Sequence, residues 1–550
     1  MFELLEQLLD TEEISAAFSG VLEMLTRILS CEAGAVWLLD KDADRLVPIA
    51  QTGPVNFTNI SVENGLGVEG LVTRDGKSIV IRDTMAGEYP GSMFDDCGPL
   101  VRSMLCVPLK NLTEVIGCLQ LVNRKDGAGF DEEELQLCER MAALGALTIE
   151  EKGFRVSGSD LLDNAAAATL RRHGAQIAPA GHRVENLPPE NDGLLVVRTS
   201  AAGPENPEVA EAMRRGLPVL RRGEALAVVA DSYRRPVAVS GSHGKTSVSA
   251  MLAWLLRELG ANPGYMIGGA VTGWESAGAA GDGDLFVTEA DESDGTHALL
   301  HPHLGIVTNV EDDHAWSLGG FEALERNFKA FADQSETLLY CASEETGRLF
   351  KDHPHAVRLD LADMPGVFLP GFGHFQRLDG MIAVKAAELL GFDAAEAEKT
   401  LRKFPGVERR LSVRHNGAVT VIEDYAHHPT ELRESIRSLR GLYPGRRLVV
   451  IFQPHRYARL ERYFDEFTDE LKKADRVFVT PVFAAWTGHG KYSSSDLAAA
   501  IGGTALAGNW DDMGAQAGLE LKAGDVAAII GAGDLPKILP SLIAKAKAVS

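Results

Sequence analysis

The sequence predicts a multidomain chain: an α+β domain followed by three α/β domains. Three observations carry this. The 550 residues exceed what a single hydrophobic core organises. Residues 1–150 read as strands in hairpin order with helical periodicity at both ends, an α+β layer. From residue 151 onward short apolar strands alternate with helices, the layout of parallel nucleotide-binding sheets. Breaks in these patterns divide the chain into 1–150, 151–232, 233–407 and 408–550.

In the first domain an amphipathic helix over 14–29 leads into a strand over 35–39 and an acidic turn over 40–44. Strands follow over 46–50, 78–81 and 103–108, with a glycine-rich segment over 65–70. Residues 103–109 and 115–123 pair as a hairpin, and an acidic-capped helix starts near Asp131. That helix runs through Met141, Leu144 and Ile149 into residues 153–160 with no linker. The next domain alternates a helix over 166–173, strands over 176–178 and 193–199, a helix over 207–214 and a strand over 218–220.

At 236–239 an apolar strand breaks into Gly241-Ser242-His243-Gly244-Lys245-Thr246-Ser247, and Val248, Met251, Leu252 and Leu255 follow at helical spacing. Strand, glycine turn and helix start together make a phosphate cradle. The glycines let the backbone approach, and the free N–H groups of the helix start point at the phosphates. Lys245 would neutralise the β and γ phosphates, and the Thr246 hydroxyl would sit on Mg²⁺. Val239 stands where the general P-loop has its first glycine, so this loop is shorter. The reading is an ATP site. Further strands over 285–289, 304–309, 418–423, 448–452 and 527–531 each end in a polar cluster, with a helix over 321–331. In parallel sheets chemistry collects at these carboxyl ends.

Composition narrows the partners. A net charge of −24 without a basic patch argues against nucleic acid. No apolar run approaches the roughly 18 residues of a membrane span, and the acidic start MFELLEQLLDTEE is unlike a signal peptide. Cys31, Cys97, Cys106, Cys118, Cys138 and Cys341 include no C-x-x-C pair, which suits reduced thiols in the cytoplasm. Cys106 and Cys118 fall in apolar strand patterns and read as buried, inert thiols.

The segments GLGVEGLVTRDGKSIVIRD, RSMLCVPLKN and EVIGCLQLVNRKDGAGFDEEEL resemble the GAF sensory domain. The resemblance implies an unidentified small-molecule ligand and allows a homodimer through this domain. Asn123, Lys125, Phe130, Asp131 and Glu132 echo a motif of cyclic-nucleotide-binding members, although a strand end followed by a helix start takes such residues in any case.

Between about Val156 and Ala546 the stretches GSHGKTS, TEADESD, VTNVEDDH, GVERRLSV, EDYAHHPTE, FQPHRYARL and GAGD follow in order. They resemble the Mur ligases, and PHRYAR resembles their alanine-adding branch. The family implies ATP-driven amide formation in peptidoglycan precursor synthesis. A UDP-muramyl carboxylate takes the γ-phosphate, and the amine of a small amino acid attacks the acyl phosphate. By resemblance Glu289 would join Thr246 on Mg²⁺ and His314 would hold a second Mg²⁺. Lys245 and the Arg409/Arg410 pair would bring cations to two anions. Tyr425, His455, Arg456 and Arg459 match positions that handle the amino acid and the acyl group, and a guanidinium can grip alanine's carboxylate by two bonds. The bland alternative for His314 is a turn histidine capping the next helix, and for Arg409/Arg410 it is a solvated basic pair, the commoner fate of such a pair taken alone.

Three departures from the family stand out. Its first strand and glycine-rich diphosphate loop are missing, and the GAF domain occupies their place. Ser159, Asp160, His182 and Ser200 remain for UDP, with Asn206-Pro207-Glu208 behind them. Near the adenine, Gln376 and Asp379 replace amides expected to be asparagine. The segment between Leu339 and Pro370 is short, which predicts a reduced edge to the central sheet. The leading expectation is an active ligase carrying a GAF domain that senses a ligand or stabilises a dimer. The alternative is a non-catalytic GAF signalling protein with a ligase-like, ATP-binding body. Retention of Lys245, Thr246, Glu289 and His314 together favours the ligase.

Overall fold

The computed structural model describes residues 29–40, 43–54, 61–83, 101–110, 115–125, 130, 156–161, 165–172, 174–189, 194–199, 202–311, 320–361, 366–367, 369–484 and 490–549, with Ser19, Leu22, Leu25 and Thr26. The helix expected from Asp131 and its run to residue 155 lie outside them, as do Cys97, Cys138, Ser200 and His314. The chain forms two compact units, Met1–Ser232 and Tyr233–Ser550.

The first unit opens with an antiparallel sheet. Its elements are β1 (Cys31–Asp40), β2 (Arg45–Thr52), β3 (Val62–Glu63), α1 (Gly67–Asp75), β4 (Ile79–Ile81), β5 (Met104–Lys110) and β6 (Val115–Arg124). The strand order is β3-β2-β1-β6-β5-β4. Strand alternation sends Val36, Leu105, Val107, Leu119 and Leu121 to one face with Leu22 and Leu25. The other face carries Trp37, Met104, Cys106, Cys118 and Val122 under Val68 and Val72 of α1. Both cysteines are buried, as their strand patterns predicted. On this second face Trp37 Nε1 donates to Gln120 Oε1 at 3.0 Å, and Gln120 Nε2 donates to the buried Glu69 carboxylate. Asn123 closes β6 with a φ of 56°. Its Oδ1 accepts from the Arg102 and Ser103 amides at 2.6 and 3.3 Å, and its Nδ2 donates to Glu32 Oε2 at 2.8 Å. The amide of Asn123 therefore holds the sheet end together.

The rest of this unit is β7 (Ser157–Gly158), α2 (Ala165–Arg172), β8 (Gln176–Ile177), β9 (Val196–Arg198), α3 (Pro207–Arg214), β10 (Val219–Arg221) and α4 (Arg222–Asp231). Asn206 caps α3 by accepting from the Glu208 and Val209 amides, with Pro207 at the first helical position. The strands make two separate parallel pairs, β7 with β8 and β9 with β10. Among the described residues no strand joins β7 to β9. Val156, Leu161, Leu170, Val184, Val197, Met213 and Val229 are exposed.

In the second unit the central sheet contains β11 (Arg235–Ser240), then α5 (Lys245–Glu258), β12 (Gly264–Met266), β13 (Gly278–Ala279), β14 (Leu285–Glu289) and β15 (Leu304–Val307). Next come α6 (Phe321–Gln334), β16 (Thr337–Cys341), α7 (Glu344–Phe350), β17 (Ala356–Leu359), α8 (His374–Leu389) and α9 (Ala394–Leu401). The order β13-β12-β14-β11-β15-β16-β17 is parallel except for β13. Strand β11 lies centrally, so the loop after it is flanked by the ends of β14 and β15. The short segment after Leu339 supplies α7 and an edge strand, β17, that its apolar pattern did not reveal.

The C-terminal sheet has β18 (Ser412–Asn416), β19 (Thr420–Asp424), α10 (Pro429–Leu442), β20 (Leu448–Phe452), α11 (Tyr457–Arg462) and α12 (Phe464–Leu471). It ends with β21 (Arg476–Val479), α13 (Ser494–Ile501), β22 (Thr504–Ala505), α14 (Trp510–Gly518), β23 (Val526–Ile530) and α15 (Leu539–Ala548). The order β18-β19-β23-β20-β21-β22 brings the exits of β19, β23 and β20 side by side.

Candidate active site

A cleft of about 640 Å³ lies between the central and C-terminal sheets of the second unit. Its floor is the loop from Gly241 to Lys245. Gly241 has a φ of +132°, and a Cβ there would stand 2.1 Å from Thr308 Oγ1. The segment leaving β15 clamps this loop. Asn309 Oδ1 accepts from the His243 amide at 2.9 Å, and Asn309 Nδ2 and Thr308 Oγ1 donate to the His243 carbonyl at 3.0 and 2.6 Å. Ser242 Oγ donates to the Glu311 carbonyl at 3.0 Å and accepts its amide at 2.8 Å. The loop is preorganised, so little order has to be gained when a ligand arrives.

Lys245 Nζ lies 2.7 Å from Glu292 Oε2 and donates to the Gly241 carbonyl at 2.7 Å. Burial works against its charge, but Glu292, Glu289 and Asp291 outweigh it and hold the ammonium above its usual range. Thr246 Oγ1 donates to Glu289 Oε2 at 2.9 Å, and the Gly268 amide donates to the same oxygen at 2.9 Å. Hard octahedral cations with bonds of about 2.1 Å want neighbouring oxygens roughly 3 Å apart, so this pair fits such an ion. A Cβ at Gly268 would stand 2.2 Å from Glu289 Oε2 and 2.8 Å from Thr246 Oγ1, so glycine keeps the place open.

Arg410 reaches over from the C-terminal side. Its NH2 donates to Thr246 Oγ1 at 3.4 Å, and its guanidinium lies 3.9 Å from Glu431. Arg409 turns the other way: its Nε donates to Glu423 at 2.8 Å, and its NH2 donates to the Gly531 and Gly533 carbonyls. The two guanidinium carbons lie 4.8 and 5.1 Å from the Tyr425 ring centre. Arg409 and Arg456 have φ values of 62° and 65°, conformations uncommon outside glycine that aim their side chains. Beyond Tyr425 the rings of His427 and His455 follow at 5.5 and 5.4 Å, and Arg459 NH1 lies 3.2 Å from His455 Nδ1. The structure thus gathers Lys245, Thr246, Glu289, Arg410, Tyr425, His455, Arg456 and Arg459 around one cleft.

Gln376 and Asp379 sit beneath it, on α8. Gln376 Oε1 accepts from the Gly373 amide at 3.0 Å and its Nε2 donates to the Arg410 carbonyl at 3.5 Å, which supports the arginine from behind. Sequence reasoning missed a second, half-buried cluster. His243 Nε2 lies 3.4 Å from Glu311 Oε2, its Nδ1 lies 3.7 Å from Glu431 Oε1, and its ring stacks on His428 at 5.0 Å. Burial disfavours charge on His243, but Glu311 and Glu431 overcome it and push the imidazole up to about 9. Both carboxylates lie inside motifs already quoted, VTNVEDDH and EDYAHHPTE, at the ends of parallel strands. That position was the available signal.

In the first unit, Ser159 Oγ donates to the Glu208 carboxylate at 2.6–2.7 Å and lies 2.9 Å from His182 Nδ1. Asn186 Nδ2 and the Arg183 amide complete the shell of Glu208 at 2.7 and 3.1 Å. The Asp160 carbonyl accepts from the Gly181 amide at 2.8 Å.

A glycine loop at the centre of one mostly parallel sheet, facing a second mostly parallel sheet across a cleft lined by Lys245, Arg409, Arg410, Arg456 and Arg459, is the layout of an ATP-dependent ligase. Residues 140–234, 239–358 and 409–533 match the families described as Mur ligase catalytic domain, Mur ligase middle domain and Mur ligase, glutamate ligase domain; residues 13–149 match the GAF domain. The UDP-N-acetylmuramate–L-alanine ligase of Aquifex aeolicus (strain VF5) is 33% identical over 419 residues, spanning 70% of this chain and 91% of the relative. That of Gloeobacter violaceus is 32% identical over 435 residues, spanning 73% and 93%. The solved UDP-N-acetylmuramate–alanine ligase of Thermotoga maritima shares the fold, with a TM-score of 0.62 at 23% identity over 74% of this chain and 97% of that one. The chain belongs to the Mur ligase family and carries a GAF domain ahead of its ligase domains. Among the described residues no helix is long and apolar enough to cross a membrane.

Proposed function

We propose that this ligase joins L-alanine to the carboxylate of a UDP-N-acetylmuramate-type acceptor through an acyl phosphate, in peptidoglycan precursor synthesis. The observation that carries the reading is the single cleft in which the Lys245–Thr246 loop and Arg410 meet Tyr425, His455 and Arg459. Its likeness to alanine-adding relatives of known name supports the choice of amino acid and acceptor.

A carboxylate resists attack because its charge repels nucleophiles, and phosphorylation supplies a leaving group. An acceptor carboxylate oxygen bonds to the γ-phosphorus while the bond to the β-phosphate oxygen breaks, releasing ADP. The amine of alanine then bonds to the carbonyl carbon, phosphate leaves, and the amine loses a proton. Lys245 and Arg410 stand where negative charge gathers in the first step. Mg²⁺ held by Thr246 and Glu289, with His314 as the second-site ligand, would screen the phosphate charge. Arg459, set by His455, would take the alanine carboxylate, with Arg456 and Tyr425 beside it. In the first unit Ser159, Asp160, His182 and Ser200 would contact the UDP portion. Mass spectrometry of reactions containing ATP, UDP-N-acetylmuramate and alanine, glycine or serine tests this. The alanyl amide should dominate, and absence of any amide product would refute the proposal.

A further inference from the structure

Asp379 is a carboxyl, a group that offers a hydrogen-bond donor only while it holds a proton. Asp379 is buried in α8 directly under the nucleotide loop. A Cβ on Gly244, the last loop residue, would lie 3.1 Å from Asp379 Oδ1, so the glycine lets the carboxyl approach the start of α5 closely. The Ser247 hydroxyl hydrogen-bonds the carboxyl, while Oδ2 is buried without a hydrogen-bond partner. A buried ionised oxygen left in this way is costly, and a protonated one is much less so.

The groups facing Asp379 are few. Arg410 approaches from the C-terminal side. Cys341 faces it from the end of β16, its thiol pushed up to about 12 by burial and by Asp379 itself. From α5 comes the uncharged Ser247, and the charge of Lys245 on that helix is directed at Glu292. From α8 itself comes the neutral Gln376. Phosphates resting on the N–H groups of the α5 start would add negative charge on the same side.

The geometry points to Asp379 as the residue that couples nucleotide binding to the uptake of one proton, taken from solvent onto Oδ2. This rests on the reading of the loop as the ATP site. Burial pushes the free carboxyl up to about 7, against the pull of Arg410 and Ser247. The sign follows. Below that value the carboxyl is already neutral, so binding takes up nothing. Above it, binding requires a proton, and ATP affinity falls by up to tenfold per pH unit.

Calorimetry of ATP with Mg²⁺ binding to the full chain, in buffers of different ionisation enthalpy, reads the proton count directly. At about pH 8 the wild-type chain should take up close to one proton more than Asp379→Asn, and at about pH 6 the two should agree. The asparagine variant should also bind ATP up to tenfold more tightly at pH 8. Other titrating groups, His243 included, are common to both proteins and cancel in the difference. Equal uptake in the two proteins would overturn the inference. So would equal ATP affinity of the two proteins at pH 8. Wild-type protein that binds no ATP at all would instead overturn the reading of the loop.

Discussion

The central sheet and the strand pairs of residues 156–232 are both built from parallel strands, yet they are finished differently. In the central sheet, β11 has hydrogen-bonded neighbours on both sides, and its exit loop is clamped by Asn309, Thr308 and Ser242. In the smaller region, β7 and β9 belong to separate pairs, and apolar side chains such as Leu161 and Met213 stay exposed. Parallel strands are normally covered on both faces. The loop around Lys245 is held by hydrogen bonds between strands joined on both sides, whereas among the described residues of 156–232 no strand has neighbours on both sides.

That contrast is broken most sharply at Lys245. Lys245→Ala should lower turnover by roughly a hundredfold or more, because stabilisation of the transferring phosphoryl group is lost. Wild-type turnover in this variant would show that the complete-looking centre is not where the chemistry happens. Arg459→Lys keeps the charge but loses the planar fork, and should raise the KM for alanine by roughly tenfold while changing that for ATP little. An unchanged alanine KM would move the amino-acid site elsewhere. On the other side of the comparison, Ser159→Ala removes one hydrogen bond to Glu208 and should raise the acceptor KM by roughly threefold. A much larger loss would mean that this small cluster carries more of the acceptor than the split sheets suggest.

Much of the catalytic region was legible in the sequence because its information is local. The strand, glycine turn and helix around Lys245 are contiguous, and apolar runs matched the observed strands Leu285–Glu289 and Leu448–Phe452 and the helix Pro207–Arg214. Chemistry assigned to strand ends follows from parallel pairing alone. Long-range contacts were not legible. His243, Glu311 and Glu431 meet only because β15 and the start of α10 flank the loop, and no short motif encodes that meeting. Arg409 and Arg410 are adjacent in sequence but turn to different partners, since the positive φ at Arg409 separates their directions. The edge strand β17 was missed because four residues, none of them fully buried, give too short a pattern.

The contrast itself is tested by phosphate release from ATP during titration of UDP-N-acetylmuramate at saturating alanine, alongside calorimetry with UDP alone. We expect release that requires both acceptor and alanine, a high acceptor KM, and UDP binding near millimolar, about −4 kcal/mol. Micromolar binding of UDP, or absence of acceptor-dependent phosphate release at any concentration, would contradict the account.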